Sequence, residues 1–166
     1  QLRSGTLNVP GIVGLGEAAA MYAECRDEER ARVVALRDRL HAAITDAVDY
    51  VHLNGHPTER LYNNLNVSFE FVESESLLMT LRDIALSSGS ACTSASLESS
   101  SALLATGVDD SLAHSAVRFG LGRSNTVEQV DAVAAAVIDA VARQRELSPL
   151  YDMKRQGVDV MAPDRR

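Results

Sequence analysis

The stretch Leu65-Asn66-Val67-Ser68-Phe69-Glu70-Phe71 decides how this chain is read. In an extended backbone Leu65, Val67, Phe69 and Phe71 fall on one side, and Asn66, Ser68 and Glu70 on the other. That period-two alternation marks a strand with one face turned to a core. On both sides of it the period changes. Upstream, from Ile12 to about Asp46, Val33, Leu36, Leu40, Ala43, Ile44 and Ala47 recur at steps of three and four, the stripe of an amphipathic helix. Downstream, Thr126 and Gln129 fit a capping box, and Val130, Val133, Ala134, Val137, Ile138 and Val141 carry a second helical stripe. Asp49–Leu53, Ile84–Leu86 and His114–Gly120 are shorter strand candidates, and Ser74–Arg82 a short helix. The turn Asn54-Gly55-His56-Pro57 follows the first short strand. Beyond Pro149 the chain turns polar and reads as a tail. Strands and helices interleave, so the expected class is α/β or α+β, with a small sheet covered by helices.

The 166 residues are 46% apolar and 23% charged, which suits one soluble domain with a real core. A net charge of −7 argues against a general nucleic-acid binder, which needs clustered Lys and Arg for phosphates. No apolar run approaches the roughly 20 residues of a membrane helix, and no signal peptide opens the chain. The opening Gln1-Leu2-Arg3 carries no initiator Met, so a piece of something longer is expected. Cys25 and Cys92 have no metal-ligand spacing and read as free thiols in a reducing compartment. His52 and His56 stand at i,i+4, but Asn54-Gly55 and Pro57 break any helix there, and no metal site is expected. The mixed charges from Glu24 to Arg30 read as a solvated helix face, with Glu28 and Arg32 paired across one turn. Cys25 on that helix reads as a bystander.

The segment Leu86-Ser-Ser-Gly-Ser-Ala-Cys-Thr-Ser-Ala-Ser-Leu-Glu98 is unlike the rest. Its 13 residues hold five serines, one threonine and one glycine around Cys92. Side chains of this kind bury little apolar surface and compete with regular backbone pairing, so a surface loop is expected. Free cysteines are usually buried and inert. One inside such a loop reads either as a reactive thiol or as an inert thiol packed beneath it.

Ser87-Ser-Gly-Ser-Ala-Cys-Thr-Ser-Ala-Ser-Leu-Glu98 resembles the cysteine loop of the IscS/NifS family of cysteine desulfurases, in its long-loop branch. Arg3-Ser-Gly-Thr6, Asn64-Leu-Asn-Val-Ser-Phe69, Glu75-Ser-Leu77, Leu112-Ala-His-Ser115, Val117-Arg-Phe119, Leu121-Gly-Arg123, Leu147-Ser-Pro-Leu150 and Lys154-Arg-Gln-Gly-Val-Asp159 resemble further family segments, in family order. The resemblance implies the C-terminal domain of a fold-type-I pyridoxal-phosphate enzyme and a homodimer. Its implied activity converts L-cysteine to L-alanine and leaves a persulfide, whose sulfur passes to an iron–sulfur scaffold or another acceptor protein in the cytoplasm. Cys92 matches the nucleophile. Its thiol, with an ordinary pKa of about 8.5, would need activation by its surroundings. Arg118, by itself a candidate for a surface ion pair, matches the arginine that grips the substrate carboxylate. Thr6, otherwise a turn residue, matches a threonine that reaches the cofactor phosphate across the dimer. His114 reads as a structural hydrogen-bond partner, not a base.

The resemblance also implies what this chain lacks. The family's cofactor lysine belongs to an upstream large domain, and the one lysine here, Lys154, lies in the tail outside that motif. Residues 1–47 are therefore expected to link to a missing cofactor-binding domain. Residues 48–150 form the small domain with cysteine loop 87–101, and residues 151–166 a tail. Ser99-Ser100-Ser101, Thr106-Gly107 and Gly120 depart from common family choices at loop ends. The alternative is a stand-alone, non-catalytic module that docks sulfur-acceptor proteins.

Overall fold

The structure, a computed structural model, describes residues 4–88 and 99–158. It opens with helix α1, Val9–Ala47. The Asn8 side chain accepts from the Gly11 N–H at 3.2 Å, and Pro10 sits in the first turn where its missing N–H costs nothing. Its 39 residues span about 58 Å at 1.5 Å per residue. Only the last third is packed: Val33, Leu36, Leu40 and Ile44 are buried. The first half leaves Val9, Ile12, Val13, Leu15 and Met21 exposed, with Leu15 at 73%.

Strand β1 (Val51–Leu53), β2 (Asn64–Phe69), β3 (Ser87–Ser88) and β4 (Ala116–Gly120) form one sheet in the order β1-β2-β4-β3, every pair antiparallel. Between β2 and β3 lies helix α2, Ser74–Thr80. Short helices α3 (Ser101–Ala105) and α4 (Asp110–His114) precede β4. Helix α5, Val127–Glu146, follows it. Leu65, Val67, Phe69, Val117 and Phe119 face one way and are buried. The α1 stripe and Val130, Ala134, Val137 and Val141 of α5 cover that face, making a two-layer core. The capping box at Thr126 and Gln129 forms, each side chain bonding the other's backbone N–H.

The fold class is as the sequence implies, and several local expectations change. The first short strand is confined to Val51–Leu53, because Tyr50 takes a left-handed backbone with φ 55°. Phe71 does not continue β2 either; its φ is 66°. Tyr50 and Phe71 meet edge-to-face at 5.9 Å. Ile84–Leu86 lies just before the strand, which is Ser87–Ser88. His114 ends α4, and only Ala116–Gly120 is strand. Arg32 does not pair with Glu28. It donates to the carbonyls of Arg123 at 2.6 Å and Asn125 at 2.7 Å, capping the loop between β4 and α5. Those carbonyls offer fixed acceptors, whereas an exposed carboxylate on the same helix offers little net gain.

Helices α3 and α4, and the last helix of the chain, are too short to show a period in the sequence. Helix α6, Pro149–Arg155, stands where a tail is expected. Pro149 opens it, and Gly157, at φ 84°, closes it: Gly157 N–H bonds Lys154 O and Val158 N–H bonds Met153 O, the pairing of a Schellman cap. The helix is held by Tyr151, which packs on Phe71 at 5.7 Å and under the Arg145 guanidinium at 5.3 Å. Arg145 is only 4% exposed, and its Nε donates to Glu70 O at 3.1 Å. Burial pushes its pKa below the ordinary arginine value.

Phe69 is fully buried between the helices and the sheet. Phe69→Ala is expected to lower the unfolding free energy by about 3–5 kcal/mol, and Thr126→Ala by about 1 kcal/mol, both read from urea melts of this chain.

Candidate active site

Alternation along β4 turns Val117 and Phe119 into the core, at 0% and 3% exposure, and so turns Arg118 to the opposite, open face. Two strands flank it. Asn66 of β2 is its cross-strand partner on one side and Ser87 of β3 on the other. Arg118 Nη2 lies 3.3 Å from Ser87 Oγ and donates to it. Among the described residues no carboxylate forms an ion pair with Arg118. An exposed guanidinium held by one neutral hydroxyl keeps most of its donor fork available, the arrangement suited to a carboxylate ligand.

The ground beneath Arg118 is a polar network. Asn54, 4% exposed, donates from Nδ2 to Asn66 Oδ1 at 2.7 Å and to Ser68 Oγ at 2.8 Å. Ser68 Oγ in turn donates to Leu112 O of α4 at 2.6 Å. The backbone carbonyl of Asn54 accepts from Arg60 Nη2 at 2.9 Å. Farther along the same face, His52 Nε2 and Glu70 Oε1 approach to 2.6 Å. These groups tie β1, β2 and α4 together and fix the strand register beside Arg118. Sequence reading did not single out Asn54, Ser68 or Ser87; the signal available was polar residues at alternate positions of a buried strand.

Not every expected site residue is gathered here. Thr6 is exposed, ahead of the α1 cap. From Val9 to the first buried residue, Val33, the helix runs about 36 Å. Cys92 lies outside the described residues, as does most of loop 87–101; of that loop, Ser87–Ser88 is strand and Ser101 begins α3. His114 faces Asp110 at 3.8 Å, one turn back on α4. Cys25 bonds its own helix, Sγ donating to Met21 O at 3.0 Å. A cavity of about 190 Å³ lies on the helix side of the sheet, lined by Leu40, Ile84, Leu86, Phe119 and Val130, and does not include Arg118. Among the described residues no cluster of His, Cys, Asp and Glu could hold a metal, and no helix is long and apolar enough to cross a membrane.

The sequence pattern of the family described as aminotransferase class-V matches residues 1–133. The chain belongs to that family. Within it, the chain is 54% identical over 159 residues to a protein named cysteine desulfurase IscS from Pseudomonas aeruginosa, covering 96% of this chain and 39% of that one. It is 52% identical over 158 residues to the protein of the same name from an Anaeromyxobacter species, covering 95% and 39%. The fold is similar to that of a NifS-like protein from Rickettsia africae, with TM-score 0.73 and 26% identity over 84% of this chain and 36% of that one. A second NifS-like protein matches with TM-score 0.73 and 29% identity. The chain thus spans about 39% of the length of these desulfurase relatives.

Pyridoxal phosphate is the cofactor this family implies, and the described residues do not assemble a site for it alone. Lys154, the one lysine in the sequence, places Nζ 5.7 Å from the Tyr50 ring. Tyr50 stands just before β1, at the Phe69 end of β2, whereas Arg118 pairs with Asn66. No lysine therefore faces Arg118.

Ser68→Ala would leave buried Asn54 and Leu112 groups short of a partner. The expected loss is about 1–3 kcal/mol of stability, measured as a lower urea midpoint with an unchanged slope.

Proposed function

We propose that the chain forms the substrate-gripping, sulfur-accepting part of a cysteine desulfurase, with the remainder of the enzyme lying beyond the stretch it shares with its relatives. The observation that carries this reading is Arg118. It is exposed on the open sheet face, free of carboxylate partners among the described residues, and paired through β3 with the root of the segment that bears Cys92. Cys92 follows Ser88 by four residues.

In this reading Arg118 grips the carboxylate of L-cysteine with two parallel hydrogen bonds and so orients the substrate. The Cys92 thiolate bonds to the substrate sulfur, the substrate carbon–sulfur bond breaks, and the carbon takes up a proton to leave as L-alanine. The persulfide on Cys92 is then delivered to an iron–sulfur scaffold or another acceptor protein. Pyridoxal 5′-phosphate, held mainly by residues outside this chain, supplies the electron sink. Thr6 serves the phosphate of the partner's site in a homodimer. A cytoplasmic setting suits a free persulfide.

In the holoenzyme, Cys92→Ser is expected to abolish sulfur transfer with cofactor still bound, and Cys25→Ser to be nearly neutral; normal alanine release by Cys92→Ser in the presence of an acceptor protein would overturn the assignment. Arg118→Ala is expected to lower kcat/KM for L-cysteine by at least about 100-fold, since the two charge-assisted bonds contribute about 1.5–3 kcal/mol each. Arg118→Lys should restore little, because an ammonium lacks the fork.

Residues 1–166 alone, mixed with pyridoxal phosphate, are expected to develop no stable chromophore and to release no alanine from L-cysteine. Alanine production by this chain without a partner would sink the proposed division of the enzyme.

A further inference from the structure

Arg118 is presented to its ligand by a neutral side chain, and that choice has chemical consequences. The guanidinium rises from β4, whose other flank is occupied: Asn66 Oδ1, the acceptor across the strand, already receives Asn54 Nδ2 at 2.7 Å. Asn54 in turn is buried and committed to Ser68 as well. On the β3 side Ser87 is directly opposite Arg118, and its hydroxyl accepts from Arg118 Nη2 at 3.3 Å. Among the described residues strand β3 is a two-residue edge strand, joined to the sheet through β4. Ser87 is thus the side chain among the described residues that steers the free end of Arg118.

We propose that Ser87 is a positioning residue for Arg118, which sets the grip on the substrate carboxylate by holding the guanidinium without neutralising it. This inference rests on the reading of Arg118 as the carboxylate receptor. A hydroxyl in this place fixes one N–H of the fork and leaves the full positive charge for an incoming anion. A carboxylate in the same place would form a charge-assisted pair and compete with the substrate for the same donors. An apolar side chain would leave the long guanidinium to sample several rotamers, so binding would first have to order it. The effect is confined to the carboxylate. It belongs to substrate capture, not to sulfur transfer.

The test uses the holoenzyme. Ser87→Ala is expected to raise KM for L-cysteine about three- to tenfold, the worth of one hydrogen bond, with kcat within about twofold. Ser87→Thr, which keeps the hydroxyl, restores KM, and Ser87→Asp raises it further than Ala does. Cysteamine, which has the amine and thiol but no carboxylate, serves as a competitive ligand whose inhibition constant is the same in wild type and Ser87→Ala. Arg118→Ala is measured in parallel. If it raises KM while Ser87→Ala does not, the positioning role falls and the reading of Arg118 stands. If neither changes KM, the reading of Arg118 falls and takes the role of Ser87 with it. A Ser87→Ala defect in kcat alone, or an equal loss of cysteamine binding, shows that Ser87 acts on something other than the carboxylate grip and overturns the proposal.

Discussion

The pairing of β2 with β4 is the constraint on which the rest depends. Asn64–Ser68 of one strand lie against Ala116–Gly120 of the other, with Val67 opposite Val117, both fully buried. A slip of one residue would turn Val117 and Phe119 to solvent and Arg118 into the core, where an unpaired guanidinium would be strongly destabilising. Burying the apolar face and exposing Arg118 are therefore one event. Helices α1 and α5 enforce it from one side. The Asn54–Ser68–Leu112 hydrogen bonds enforce it from the other.

The two faces of the sheet do different work. The helix-covered face supplies the hydrophobic stability, with its largest fully buried side chains drawn from β2, α1 and α2. The open face carries polar groups with specific hydrogen-bond partners distant in sequence. Edge strand β3 links the two, since Ser87 and Ser88 pair with Arg118 and Val117 and begin the segment that contains Cys92.

Helix α1 shows a second division of labour. Its last third is part of the core, while its first half projects apolar residues into solvent. A helix of that length with an exposed apolar face is the form expected of an element built to pack against something further. The chain's match to about 39% of the length of its desulfurase relatives sets that exposed face in context. Thr6 lies exposed just ahead of the cap of the same helix.

What the sequence determined by itself was periodic or cooperative over several residues. The alternation of Leu65, Val67 and Phe69, the stripes of α1 and α5, and the capping box at Thr126 each combine several residues that agree, so the architecture was legible. The motif around Arg118 was legible through resemblance, whereas its exposure and its neighbours were not. Tertiary structure alone decided the short elements: α3, α4 and α6 are held by caps and by single contacts such as Tyr151 on Phe71, which leave no period to read. It also decided which long-range partners the polar side chains took. Arg32 left Glu28, its neighbour on the helix, for carbonyls more than 90 residues away, and Arg118 found Ser87 across 31 residues. Local spacing can propose a partner for a charged side chain, but only the folded chain brings a fixed backbone carbonyl or a strand-paired hydroxyl within hydrogen-bond distance, where it outcompetes a solvated neighbour.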